Sequence, residues 1–160
     1  DEPIELFGPG TDSGTFDYFT DAINGEEGAS RTDYTPSEDD NVIVTGVSGS
    51  TGGLGYFGFT YYEENQDKIK AVAIDGGDGC VAPSPGTVQD GSYEPLGRPL
   101  FVYPSVQALG ENAAFASFLQ YYVENNAEIA EAALFIPLND EQSAELQSEY
   151  ADARSAAGLS

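Results

Sequence analysis

Residues Gly8-Pro9-Gly10-Thr11-Asp12-Ser13-Gly14-Thr15 place glycines and the hydroxyls of Ser13 and Thr15 directly ahead of an amphipathic segment, Phe16-Asp17-Tyr18-Phe19 onward. Phe16, Phe19 and Ile23 recur at i, i+3 and i+7, so one helical face is apolar. Asp12 or Ser13 is suited to cap the start, and Asn24-Gly25 to end the helix. The first turn of a helix leaves backbone N–H groups unpaired and carries the positive end of the helix dipole. Glycines let a small anion approach such amides, and hydroxyls add donors. The chemistry on offer is therefore binding of an oxyanion, with the amides of Gly14 and Thr15 and the hydroxyls of Ser13 and Thr15 as donors. Each hydrogen bond to a charged group contributes roughly 1.5–3 kcal/mol, so several are needed to replace a hydration shell. A capped helix after an ordinary turn accounts for the same residues without a ligand. The loop is neither a Walker A loop nor a dinucleotide fingerprint.

Few other side chains can serve an anion. The chain has five basic residues, Arg31, Lys68, Lys70, Arg98 and Arg154, against 28 acidic ones, for a net charge of −23. That balance excludes a phosphate-backbone or anionic-membrane partner. It does not exclude a small anion, because affinity comes from short, aimed donors while the long-range field is screened within about 10 Å. Arg31, with a guanidinium fork that matches two oxyanion oxygens, is a candidate ligand; a surface pair with Asp33 is the alternative. Arg98 reads as a structural brace. Asp12 caps the helix, holds Arg31, or accepts the proton of a protonated phosphate oxygen, a contact that would reject fully deprotonated sulfate. Asp39 and Asp40 read as cap or solvent residues.

Catalysis finds little support. There is no histidine, so a Ser triad lacks its base, and a Ser-Lys pair would need Lys68 or Lys70 far along the chain. With one cysteine, Cys80, no internal disulfide forms and a zinc or copper site is not expected. Cys80 either pairs with a partner outside this chain or is a small buried apolar group. Asp75-Gly-Gly-Asp-Gly79 invites calcium but lacks the EF-hand spacing and reads as a turn.

The elements that must hold the loop follow from pattern. At 160 residues and 40% hydrophobic content, one globular domain with a real core is expected. Ile4–Phe7 reads as a strand entering the loop, and 14–23 as the helix leaving it. Ser37-Glu38-Asp39-Asp40 resembles a capping box before Val42-Ile43-Val44-Thr45; β-branching favours a strand there, spacing and cap favour a helix, and the helix is preferred. Further expectations are a short helix over 60–66, a buried strand over 69–75, a polar loop to Arg98 and a strand over 99–103 closed by Pro104. Helices over 110–125, 127–135 and 139–158 follow, the first with Phe115, Phe118, Leu119 and Tyr122 on one stripe. Alternation of helix and strand in the first hundred residues argues an α/β fold. The start at Asp1-Glu2-Pro3-Ile4 and the absence of methionine suggest a processed chain or part of a longer one.

Three segments in order, Gly8–Thr20, Ser30-Arg-Thr-Asp-Tyr-Thr-Pro-Ser-Glu-Asp-Asp-Asn41 and Gly53-Leu-Gly-Tyr-Phe-Gly-Phe59, resemble the PstS-type phosphate-binding proteins of bacterial phosphate ABC transporters. Arg98-Pro-Leu-Phe-Val-Tyr103 fits as a fourth. The resemblance implies one lobe of a two-lobed periplasmic-binding-protein type II fold, a central mixed sheet flanked by helices with a helical C-terminal segment. Residues 1–103 would form the anion-binding lobe, and 104–160 a return segment packing on it or on an absent first lobe. It further implies an extracytoplasmic location (periplasmic or lipid-anchored), inorganic phosphate as ligand, permease subunits as partners, no cofactor and no catalysis. Ser13, Gly14, Thr15 and Arg31 would contact the anion. Other tetrahedral oxyanions, sulfate or molybdate, and a phosphate-ester hydrolase stand as alternatives.

Overall fold

The computed structural model describes residues 2–159. They form two compact units, one ending at Arg98 and the other starting at Pro99.

In the first unit, strand β1 (Glu5–Gly8) leads through the glycine loop into helix α1 (Gly14–Asn24). Ser13 is the N-cap, in extended conformation, and Gly25 closes the helix at φ 76°. That left-handed backbone is one glycine adopts without strain. Of the two cap candidates, Ser13 takes the position and Asp12 does not. The chain then forms edge strand β2 (Thr35–Pro36), helix α2 (Asp40–Gly49) and strand β3 (Gly53–Gly55). Val42–Thr45 is thus helical; Asp39 starts it by accepting the Asn41 amide at 2.9 Å. That single aspartate cap replaces the reciprocal box expected from Ser37. Cap and burial of Ile43 and Val44 prevail over β-branching.

The sheet order is β2-β1-β3, parallel throughout, with Phe7 opposite Thr35 and Gly55, and Glu5 opposite Gly53. Phe16, Ile43 and Val44 form the core of this unit. Burying each such side chain contributes about 1.5–3 kcal/mol. Phe19 of α1 stacks on Tyr56 just past β3, ring centroids 3.8 Å apart. Thr20, fully buried, satisfies its hydroxyl on the Phe16 carbonyl (2.8 Å) and receives the Gly28 amide (2.8 Å), pinning the loop that carries Arg31.

The rest of the unit is thinly ordered. Helix α3 (Phe59–Glu63) occupies the expected position. The buried strand expected over 69–75 shrinks to β4 (Ile74–Asp75), antiparallel to β5 (Cys80–Val81). Val72 stays 59% exposed, since no neighbouring strand ladders onto it. Asp75-Gly79 is the connecting turn, its carboxylate accepting the Gly77 and Gly79 amides at 2.9 and 3.0 Å. These amides lower the Asp75 pKa. Cys80 is exposed and free, so the buried-thiol reading fails. Helix α4 (Pro85–Gln89), capped by Ser84, interrupts the expected polar loop.

The second unit opens with residues 99–103 irregular, not as the expected strand; Leu100, Phe101, Val102 and Tyr103 are all exposed. Strand propensity becomes a strand only against a partner, and none of the described residues supplies one. Helices α5 (Val106–Glu111), α6 (Ala113–Glu124), α7 (Asn126–Ala132) and α8 (Asp140–Ala156) follow. Leu109, Leu119 and Val123 are buried, whereas Phe118 of the expected stripe points to solvent. Among the described residues, no helix is long and apolar enough to cross a membrane.

Candidate oxyanion site

In an open parallel sheet, the crevice beyond the carboxyl ends of the strands is where ligands bind, at the point where the strand order reverses. Here β1 is central: the chain passes by way of α1 to β2 on one side, then by way of α2 to β3 on the other. The loop 9–13 leaves the carboxyl end of β1 at that point. A pocket of about 370 Å³ lies beside it, lined by Gly10, Thr11, Tyr34, Pro36, Ser37 and Glu38.

The loop is built from its neighbours. Gly8 lacks a side chain because Tyr56 fills the space: a Cβ there would lie 2.8 Å from the ring. Burial pushes the Tyr56 phenol up to about 12, so it stays neutral. Tyr34 donates its hydroxyl to the Pro9 carbonyl at 2.9 Å, tying the loop to the segment before β2. Burial, and secondarily the Glu38 carboxylate, raise the Tyr34 pKa. Gly10 lies directly against the Glu38 carboxylate.

At the start of α1 the four orphan amides divide. Ser13 donates to the Gly10 carbonyl at 3.2 Å and Thr15 to Ser13 Oγ at 3.2 Å, while the Asp17 amide makes the first intrahelical bond, to the Ser13 carbonyl at 3.1 Å. The Gly14 and Phe16 amides have no acceptor among the described residues. The Thr15 amide is therefore not a free donor as expected, and the Phe16 amide is a donor that periodicity did not single out. Ser13 accepts the cap bond through a lone pair, which leaves its own proton to donate. The Thr15 hydroxyl likewise has no protein partner among the described residues. The turn retains two amides and two hydroxyls with no protein acceptor among the described residues.

Among the described residues, Arg31 bonds Asp33 and none of these donors. Its guanidinium forks onto Asp33, Nε to Oδ1 at 2.7 Å and Nη2 to Oδ2 at 2.5 Å, with the side chains 70% and 65% exposed. Asp33's hydrogen bonds raise the Arg31 pKa, and Arg31 lowers that of Asp33. Asp12 is exposed and neither caps α1 nor holds Arg31. Arg98, expected as a structural brace, meets the start of α1: Nη2 donates to the Gly14 carbonyl at 3.3 Å, and Cζ lies 4.6 Å over the Tyr18 ring. Eighty-four residues separate Arg98 from Gly14, so no local pattern could announce the contact. No group of three or more metal-ligating side chains occurs among the described residues.

Relatives match over most of the chain. Protein SphX of Synechocystis is 48% identical over 141 residues, covering 88% of this chain and 42% of the relative. The phosphate-binding protein PstS of Staphylococcus saprophyticus is 35% identical over 150 residues, 93% of this chain and 46% of that protein. A crystal structure described as a possible phosphate binding protein, from Planctomyces limnophilus, superposes with a TM-score of 0.85 at 44% identity, covering 96% of this chain and 55% of that one. The chain thus spans less than half the length of these curated relatives. The profile of the PBP superfamily domain matches residues 1–126, and with the parallel sheet and its helices the chain belongs to that superfamily.

Proposed function

We propose that this chain forms the phosphate-holding part of the binding component of a bacterial ABC importer, acting outside the cytoplasm and passing inorganic phosphate to permease subunits. The observation that carries the reading is the first turn of α1, with the Gly14 and Phe16 amides unpartnered and the Ser13 and Thr15 hydroxyls free to donate at the switch point of the sheet. The relatives named phosphate-binding proteins support it. In this reading residues 1–103 carry the anion-binding lobe and 104–160 a return segment. A second lobe, of the kind the longer relatives have room for, supplies the remaining contacts. Asp12 accepts the proton of a protonated phosphate oxygen, which selects against sulfate.

Arg31 joins the site by exchanging Asp33 for the anion. An exposed pair in water contributes little, so the exchange is cheap. Asp33→Asn is accordingly expected to tighten phosphate binding about threefold at low ionic strength, because the guanidinium no longer has to leave a competing carboxylate. Unchanged or weaker binding would remove Arg31 from the ligand set.

The direct test is a titration of the ¹⁵N-labelled chain with inorganic phosphate at constant ionic strength. With one lobe's donors, affinity in the millimolar range is expected, about −4 kcal/mol. The Gly14 and Phe16 amide signals should shift saturably and the Thr15 amide less, with sulfate at least about tenfold weaker, one unmatched acceptor being enough for that ratio. Static Gly14 and Phe16 signals would sink the site; equal response to sulfate would reduce it to a general oxyanion site.

A further inference from the structure

We infer that Arg98 is a positioning residue that supplies fixed positive charge to the anion held by the first turn of α1. The inference rests on the phosphate-site reading above. Arg98 touches that turn at two points, the Gly14 carbonyl (3.3 Å) and the Tyr18 ring (4.6 Å). The nearest heavy atom to a Cβ placed on Gly14 would be Arg98 Nη2, at 3.8 Å. The contact is held from behind. Tyr18 donates its hydroxyl to the Pro95 carbonyl at 2.6 Å, and the Gly97 amide closes the same turn on the Tyr93 carbonyl at 2.7 Å. Ring, turn and guanidinium form one brace.

That brace sets a cation in an unfavourable place for a protein without a ligand. The N-terminus of a helix is its positive end, where added positive charge is destabilising. Arg98 has no carboxylate partner among the described residues, in a chain with 28 acidic side chains to choose from. Arg31, by contrast, is neutralised by Asp33. An unpaired guanidinium flanking two unpartnered amides makes electrostatic sense once an anion sits there: the repulsion between dipole and cation becomes a shared attraction for the ligand. Arg98 acts across the first turn, through space and through the orientation of Gly14, and it differs from Arg31 in being already in place.

The experiment is the same phosphate titration on Arg98→Gln, Arg98→Lys and the unsubstituted chain, at low and high sodium chloride. Arg98→Gln is expected to weaken binding about tenfold at low salt. The deficit should shrink to about twofold near 0.3 M, because a through-space charge effect is screened as the Debye length falls. Arg98→Lys should stay within about threefold of the unsubstituted chain, since it keeps the charge and loses the planar stack. Equal binding by all three proteins overturns the inference and leaves the phosphate site standing. A deficit of the same size at both salt concentrations, or one shared equally by the lysine variant, overturns it in favour of a purely structural brace. If the unsubstituted chain itself shows no phosphate-dependent shift at Gly14 and Phe16, the phosphate-site reading fails and the inference fails with it.

Discussion

Gly53→Ala is expected to destabilise the first unit by about 3 kcal/mol and lower its thermal midpoint by more than about 10 °C. The reason is the identity of the atoms a methyl group would meet. A Cβ on Gly53 would lie 2.6 Å from the Val47 carbonyl oxygen and 2.9 Å from Val47 Cα. Both belong to the backbone of α2, which cannot rotate away as a side chain can. Gly53 pairs with Glu5 in the sheet, so relief on that side would break the β1–β3 ladder. The loss therefore combines overpacking with a displaced helix, and that helix carries Ile43 and Val44 of the core. Gly49→Ala, four residues earlier, is the internal control. Nothing lies within 4 Å of a Cβ there, and the residue is helical. It should be neutral or stabilising by up to about 0.5 kcal/mol. Circular dichroism melts of the two variants would decide the matter: a Gly53→Ala midpoint within a few degrees of the Gly49→Ala value would show that the sheet–helix contact is looser than described.

Gly14→Pro should separate binding from folding. Residue 14 is the first helical position, where proline is favoured because its missing N–H is an orphan anyway. Ser13 before it has φ −99° and ψ 125°, the extended conformation that a following proline requires. Beyond its own helix and chain neighbours, a Cβ at residue 14 meets nothing closer than Arg98 Nη2 at 3.8 Å, an ordinary contact. The helix should therefore form normally. What disappears is one of two unpartnered amides, a donor to a charged acceptor worth about 1.5–3 kcal/mol, so phosphate affinity should fall at least about tenfold. The measurement is phosphate titration alongside a thermal melt. Unchanged affinity with an unchanged melt would mean that the Gly14 amide does not touch the ion.

Much of the local structure around α1 was legible in the sequence. The signals that survived are local ones: a hydroxyl cap next to a glycine, an apolar spacing of three and four, a glycine at the end of the helix. Ser13, Gly14 and Gly25 carry those rules within a single turn of chain. Where two adjacent residues satisfied the same rule, as with Asp12 and Ser13, sequence could not choose, because the choice depends on backbone angles set by the preceding loop. Strand expectations failed where pairing was absent. Ile69–Ala73 and Pro99–Tyr103 have the right side chains, but a strand is a property of two segments, and neither finds its second among the described residues. Arg98 and Arg31 show the same limit. Which guanidinium faces the helix start and which is spent on a neighbouring carboxylate is fixed by a turn around Tyr93–Gly97 and by a two-residue spacing to Asp33.

The exposed run at Leu100–Tyr103 bears on how this molecule behaves in company. Four adjacent, solvent-facing, sheet-prone side chains offer other copies a template for backbone pairing. What keeps copies apart is mutual repulsion among molecules carrying a net charge of −23. Dissolved electrolyte weakens that repulsion. Raised salt is therefore expected to promote self-association of this chain, and a neighbour covering residues 100–103 would suppress it.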